Sequence, residues 1–358
     1  MTSRTITHVQ VLPTVAAFGA PASPLLMLVA EGGLAGIGEL WPGETEDVLE
    51  AVEAVAPLLL GADPLNREAL WQSLRSSTRD WEDTAEVICG TVAACDGALL
   101  DLAARALNVP AWALLGGRCR AAVDLCVDCG EAQDPRSLEN AGRLAAEGVR
   151  TVGLTVPRVG EDRSIPLRRA RRTIGAEVLF IARPAEAAAT VDEAVEIGCD
   201  LDRAEPYLVE GLLADGAWNE LAQVRDKIAS ATSAGHSTLG FHRFWRPLEV
   251  GCADVLTLRV DGAEGPSGIL KLADVAGLRG MRAAVEGAGL VSSLVAAHAC
   301  AARVNSGLLR LPVATCDALN EAGVLKDGRL VLPAAAGLGV PGEPALSSQP
   351  LAVFEDTR

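Results

Sequence analysis

The pattern of apolar and polar positions changes along this chain, and the change divides it. Short apolar or β-branched runs recur at residues 150–156, 177–182, 205–213, 227–231 and 254–259, each separated from the next by enough residues for a helix. Such short unbroken apolar runs suit strands buried on both faces. The intervening segments 135–147 and 190–201 carry apolar residues at helical spacing, and Thr190 three residues before Glu193 fits a capping box. Strands alternating with helices predict crossover units and a parallel sheet. No Gly-x-Gly-x-x-Gly follows the first strand, so a barrel is expected rather than an open dinucleotide-binding sheet.

The earlier part of the chain reads differently. Residues 25–30 and 34–40 form two strand patterns joined at Glu31, Gly32 and Gly33, a hairpin signal. Residues 47–60, 66–74 and 87–107 then repeat apolar positions at helical spacing, the first stopping at Gly61 and the last before Pro110. Between them a polar loop holds Trp81, placed either to close over a site or simply to lie in solvent. The expected fold class is α/β: an N-terminal α+β capping domain at 1–120, a modified TIM (β/α) barrel at 121–325, and a C-terminal segment at 326–358 returning to the cap.

Composition narrows the function classes. A chain of 358 residues with 49% hydrophobic content has ample material for a large core and a smaller one. Its net charge of −16 opposes nucleic acid and anionic membrane as partners. No apolar run reads as long enough to span a bilayer and the N-terminus lacks a signal-peptide core, so a cytoplasmic location is expected. Nine cysteines, an odd number thinly spread, fit reduced buried thiols. Cys126 and Cys129 form a Cys-x-x-Cys, but on a strand pattern with no second Cys or His pair nearby, which favours packing over a redox or zinc role.

In a parallel barrel, chemistry sits at the carboxyl ends of the strands. Glu210, followed at once by Gly211, ends the apolar run at 205–213, and Thr155, Arg183 and Arg259 close other runs; His236 follows the fifth strand. Each has a plainer reading beside the functional one. Glu210 could be solvated in a loop, and Arg259 could pair at the rim with Asp261 or Glu264. His298, in an Ala-rich helical stretch, reads as a packed core histidine, and His242, in an aromatic and basic segment, as packing.

Four stretches carry a family resemblance: 33–39 (Gly-Leu-Ala-Gly-Ile-Gly-Glu), 60–64 (Leu-Gly-Ala-Asp-Pro), 101–117 (beginning Asp-Leu-Ala-Ala-Arg-Ala-Leu and ending Leu-Leu-Gly-Gly) and 333–340 (Pro-Ala-Ala-Ala-Gly-Leu-Gly-Val). Together they resemble the enolase superfamily, in its mandelate racemase and muconate lactonizing branch. The resemblance implies a cap over a modified barrel, often in a homo-oligomer. It also implies abstraction of a proton beside a carboxylate, with the enolate held on magnesium by acids from three successive strands.

Matched position by position, that site is largely missing here. A Lys-x-Lys becomes Gly153, Leu154 and Thr155; the first metal acid falls on Ala182, beside Arg183 and Pro184. Glu210 matches the second acid, the third gives way to Gly235, His236 and Ser237, and Arg259 stands where the sixth strand offers a base. Glu286 resembles a late acid. No magnesium or other cofactor is therefore expected.

Three functions follow. The leading one is a small carboxylate or other anion bound at the barrel mouth, where Arg183, Arg259 and His236 outweigh Glu210, with metal-free isomerase or lyase chemistry by Glu210 or His236 and with Thr155 and Trp81 touching substrate. The others are a catalytically silent relative and an ordinary magnesium-dependent racemase, cycloisomerase or dehydratase.

Overall fold

The structure is a computed structural model that describes residues 5–13, 23–40, 43–77, 85–157, 162–340 and 349–356. Two sheets organise it. In the smaller, β1 (Ile6–Leu12), β2 (Leu25–Ala30) and β3 (Ala35–Glu39) pair antiparallel, with Gly32 and Gly33 turning the β2–β3 hairpin at φ of 85° and 82°. Three helices cover it: α1 (Thr45–Leu59), α2 (Arg67–Ser77) and α3 (Ala85–Ala106).

The glycines of β3 explain how closely α3 lies on the strand. A Cβ at Gly36 would come 2.4 Å from the Ala98 carbonyl oxygen, and one at Gly38 would come 2.0 Å from that of Ala94. α3 corrects one expectation, since by length and composition it is apolar enough to cross a membrane. Nearly all of it is buried inside the protein, as a core helix is.

A short helix α4 (Ala111–Leu114) leads into eight repeats of strand and helix. They are β4 (Ala122–Glu131) and α5 (Pro135–Ala146), β5 (Thr151–Val156) and α6 (Ser164–Ile174), β6 (Leu179–Pro184) and α7 (Val191–Asp202), and β7 (Leu208–Val209) and α8 (Trp218–Arg225). The second half continues with β8 (Ser233–Ala234) and α9 (Trp245–Val250), β9 (Val255–Arg259) and α10 (Pro266–Leu278), β10 (Arg282–Glu286) and α11 (Leu290–Ala301), and β11 (Ser306–Pro312) and α12 (Val313–Glu321). The strands are parallel in the order β7-β6-β5-β4-β11-β10-β9-β8, and a bridge between Val209 and Thr232 closes the ring. After it, β12 (Leu325–Lys326) and β13 (Arg329–Val331) form a hairpin on β4, and β14 (Ala352–Glu355) pairs with β1 at the edge of the cap sheet.

Two expected strands differ. The run at 205–213 pairs only at Leu208–Val209. Residues 227–231 form no strand, because the Asp202 carboxylate accepts the backbone N–H groups of Ala229 (2.8 Å) and Ser230 (2.9 Å) and fixes that segment as a loop. The cap of α7 forms at Thr190, whose hydroxyl accepts from Glu193 N at 3.2 Å; Glu193 reaches back one residue further than expected, to Ala189 N at 2.9 Å.

Alternation along the strands separates an inner layer from an outer one. Cys126, Ile181, Leu208, Val255 and Ala284 share the barrel interior, whereas Cys129, Phe180 and Ala182 face the helices. Cys126 and Cys129 thus lie on opposite faces, and burial pushes the Cys129 thiol up to about 12. His298 is a core histidine: Nδ1 accepts from Trp112 N and Nε2 donates to the Leu338 carbonyl, each at 3.1 Å, and burial takes its pKa down to about 4.

The cap is tied to the barrel by buried polar groups. Asp96 of α3 accepts from Arg67 Nη2 (2.9 Å), Ser267 N (2.7 Å) and Ser267 Oγ (2.9 Å), the last two at the start of α10. Trp71 Nε1 donates to the Glu264 carbonyl at 2.7 Å, and Arg75 pairs with the Glu264 side chain while stacking on Trp71 and Phe241. Asp96→Ala would leave Arg67 without its counter-charge and the Ser267 N–H without its acceptor. Urea unfolding should show a loss of about 3–5 kcal/mol, as for other broken buried pairs; a loss below about 1 kcal/mol would mean that water replaces the carboxylate.

Candidate functional site at the carboxyl ends of the barrel strands

Strand alternation sends a ring of polar side chains to the carboxyl end of the barrel: Asp128, Thr155, Arg183, Glu210, Arg259, Glu286 and Arg310, with His236 just beyond β8. Thr155 is in register with Arg183, and Glu286 with both Arg259 and Arg310. Trp81 lies outside the described residues. His242 is exposed in the turn Phe241–Phe244.

The centre of the ring is a residue that sequence reasoning missed. Arg310 is wholly buried, and its fork meets the buried Glu210 carboxylate head on, Nη1 to Oε2 at 2.6 Å and Nη2 to Oε1 at 2.8 Å. Nη2 also lies 3.2 Å from both oxygens of Asp128, and Arg183 Nε donates to Glu210 Oε1 at 3.0 Å. The only local signal was a cation inside the apolar strand Leu308, Leu309, Arg310, Leu311.

Gly153 gives this network its room. A Cβ there would stand 1.9 Å from Asp128 Oδ1, so the space beside β5 that the resemblance gives to a lysine pair is taken by the Asp128 carboxylate. The strand phase also corrects the match at β6. Ala182 packs outward with Phe180, and the inward neighbour of Glu210 is Arg183.

The remaining basic side chains are partnered as well. His236 Nδ1 lies 3.0 Å from Glu286 Oε2. Arg259 donates through Nε to Asp261 Oδ1 at 3.1 Å and through Nη2 to Oδ2. Glu264 is not at the mouth; it accepts from Arg75 and from Phe241 N at 3.1 Å. Arg183, Arg259 and Arg310 thus face Asp128, Glu210, Asp261 and Glu286. The expected net positive pocket is corrected: three guanidiniums face four carboxylates there, since Asp261, Glu286 and the unanticipated Asp128 join Glu210. Beside the network a cavity of about 200 Å³ opens between the ends of β6, β7 and β8. Arg183 and His236 border it, their side chains 30% and 31% exposed.

Charge sets the chemistry of this ring. Burial alone would raise the Glu210 pKa, but the Arg310 and Arg183 guanidiniums outweigh it and bring it down to about 2. Glu286 is likewise held below the carboxylate range, His236, Arg310 and Arg259 opposing its desolvation. Magnesium does not fit these residues, since both Glu210 oxygens are already met by guanidiniums. A dication about 4 Å from each would meet a repulsion of roughly 8 kcal/mol per guanidinium at an effective dielectric near 20. Among the described residues no three His, Cys, Asp or Glu side chains stand together as a metal cluster.

Two predictions follow from these pairings. Glu210→Gln, which leaves Arg310 buried without its main counter-charge, should cost about 3–5 kcal/mol at neutral pH. The sign with pH is fixed by the depressed folded value: the carboxylate's contribution is complete above its ordinary value of 4.5 and fades as pH falls toward 2. Chemical denaturation across that window should show the gap between the two proteins closing by about 3 kcal/mol, and a gap constant with pH would break the argument. Magnesium titrated calorimetrically should give no saturable heat; an EDTA-reversible site lost in Glu210→Gln would show that the guanidiniums yield.

Comparison with known proteins follows the same architecture. Residues 1–116 match the mandelate racemase / muconate lactonizing enzyme N-terminal domain, and residues 136–345 match the enolase C-terminal domain-like family. D-galactarolactone cycloisomerase of Agrobacterium fabrum is 26% identical over 273 residues, 74% of this chain and 71% of that protein. D-galactonate dehydratase of Variovorax paradoxus is 26% identical over 278 residues, 72% of this chain and 69% of that one. Among solved structures, a mandelate racemase/muconate lactonizing enzyme-like protein from Rubrobacter xylanophilus superposes with a TM-score of 0.84 at 20% identity, covering 94% of this chain and 95% of that one. A putative galactarate dehydratase from Agrobacterium radiobacter, bound to sodium and L-malate, gives 0.81 at 22% identity, covering 94% and 92%. Matched over both its cap and its barrel, the chain belongs to the mandelate racemase / muconate lactonizing branch of the enolase superfamily.

Proposed function

We propose that this chain binds a small hydroxy-carboxylate of the sugar-acid class at the barrel mouth and moves a proton on it without magnesium, His236 being the group that carries the proton. The observation behind this is the 3.0 Å pairing of His236 with Glu286 at the edge of a cavity that Arg183 shares. A carboxylate on Nδ1 fixes the imidazole tautomer and steadies the imidazolium, leaving Nε2 to exchange a proton with substrate. The partly exposed Arg183 is the cation for the substrate carboxylate, with geometry suited to a two-pronged contact. Glu210 is set aside as a base, since its oxygens are engaged and it stays ionised.

The sugar-acid class comes from the relatives, named as a galactarolactone cycloisomerase and galactonate dehydratases. A structural neighbour crystallised with L-malate supports a small carboxylate ligand. A second reading, a silent relative that binds the ligand and leaves it unchanged, is favoured by the closed Glu210 network.

A panel of aldonic and aldaric acids, followed by NMR in deuterated water alongside thermal shift, separates the readings. At least one acid should stabilise the protein and exchange or lose its α-proton. His236→Ala should slow that step by about a hundredfold or more while binding persists, and Arg183→Ala should weaken binding. Binding with no exchange from any acid would establish the silent reading; neither binding nor exchange would end both.

A further inference from the structure

The opposite end of the barrel holds a larger space. A cavity of about 800 Å³ opens at the amino ends of the strands, away from Glu210. Barrel interiors are normally filled by layers of bulky branched side chains. Here the lining includes Thr151 and Ala284, too small to fill it. Its wall is apolar where Leu208, Val255 and Leu308 face inward. The volume falls within the range of ligand pockets, roughly 300–1,000 Å³.

The rim has the opposite character. Arg150, Arg282 and Arg329 stand there with Asp124 and Asp327, an excess of cations on a chain whose net charge is −16. Arg329 is paired with Asp124 at 2.7 Å. Among the described residues the Arg282 side chain donates to the Tyr207 hydroxyl, at 3.3 Å, and neither Arg282 nor Arg150 has a carboxylate partner. A hollow apolar floor below arginines without counter-charges is complementary to one ligand chemistry: an anionic head on an apolar tail.

We propose that this amino-terminal basin is a second binding site, for an amphipathic monocarboxylate. Its head is held by Arg150 and Arg282 and its tail lies on Leu208, Val255 and Leu308. A sugar acid, polar over its whole length, gains nothing from that floor, so the two ends of the barrel select different carboxylates. The basin stands independently of the function proposed for the mouth.

Octanoate titrated into the full chain by calorimetry tests this. Saturable binding is expected, weakened on the order of tenfold or more in the Arg150→Ala, Arg282→Ala double variant, and unchanged in Arg183→Ala, which alters only the mouth. Ala284→Phe, filling the floor, should abolish it; the double variant, changed only at the exposed rim, keeps the test decisive if the filled barrel fails to fold. The proposal is overturned if folded protein shows no saturable binding at millimolar octanoate, or if binding survives the double variant and is lost in Arg183→Ala.

Discussion

The buried fork between Arg310 and Glu210 constrains everything around it. A guanidinium with no exposed surface must meet carboxylates in the right plane, because an unpaired charge there would be strongly unfavourable. Glu210 supplies one such plane and Asp128 a second contact, and Asp128 can lean in only because Gly153 offers no side chain in its path. Arg183, which borders the cavity, adds a second cation to Glu210 Oε1. Four strand ends are thereby fixed by one charge. That charge is carried on a side chain of the barrel's last strand, so the positive centre is built into the fold and needs no loading.

Most of the architecture was legible because burial on both faces leaves a visible trace. Unbroken apolar runs marked β5, β6 and β9, and helical spacing marked α5 and α7. Where the trace misled, a polar group far away had taken over: Ile228 and Ala231 look like strand residues, but Asp202 holds their neighbours in a loop. The site was legible only in part. Strand ends could be located, yet the phase of the pleat at β6 was not, and a slip of one residue turns an inward side chain outward; hence Ala182 stood where Arg183 belongs. Arg310 showed only as a cation within an apolar strand, since its partners lie far back in the chain and no local pattern encodes a long-range ion pair.

The same reasoning explains the mistaken charge of the pocket. A tally over matched strand ends counted Arg183, Arg259 and His236 against Glu210 alone. Folding brings Asp128, Asp261 and Glu286 to the same place, the first two opposite guanidiniums and Glu286 against His236. Desolvation demands that a buried charge meet a partner, so this pairing is a property of the assembled barrel rather than of any single strand.

The edge strand β14 has a consequence for how the protein is made. Val11 pairs with Ala352, so almost the entire chain must be synthesised before the outer edge of β1 finds its neighbour. With ribosomes adding about 5–20 residues per second, that edge stays open for on the order of tens of seconds. An unpaired strand edge is a template for pairing with other chains. The nascent cap is thus exposed to misassociation throughout the growth of the barrel, and its sheet is completed only when residues 352–355 arrive.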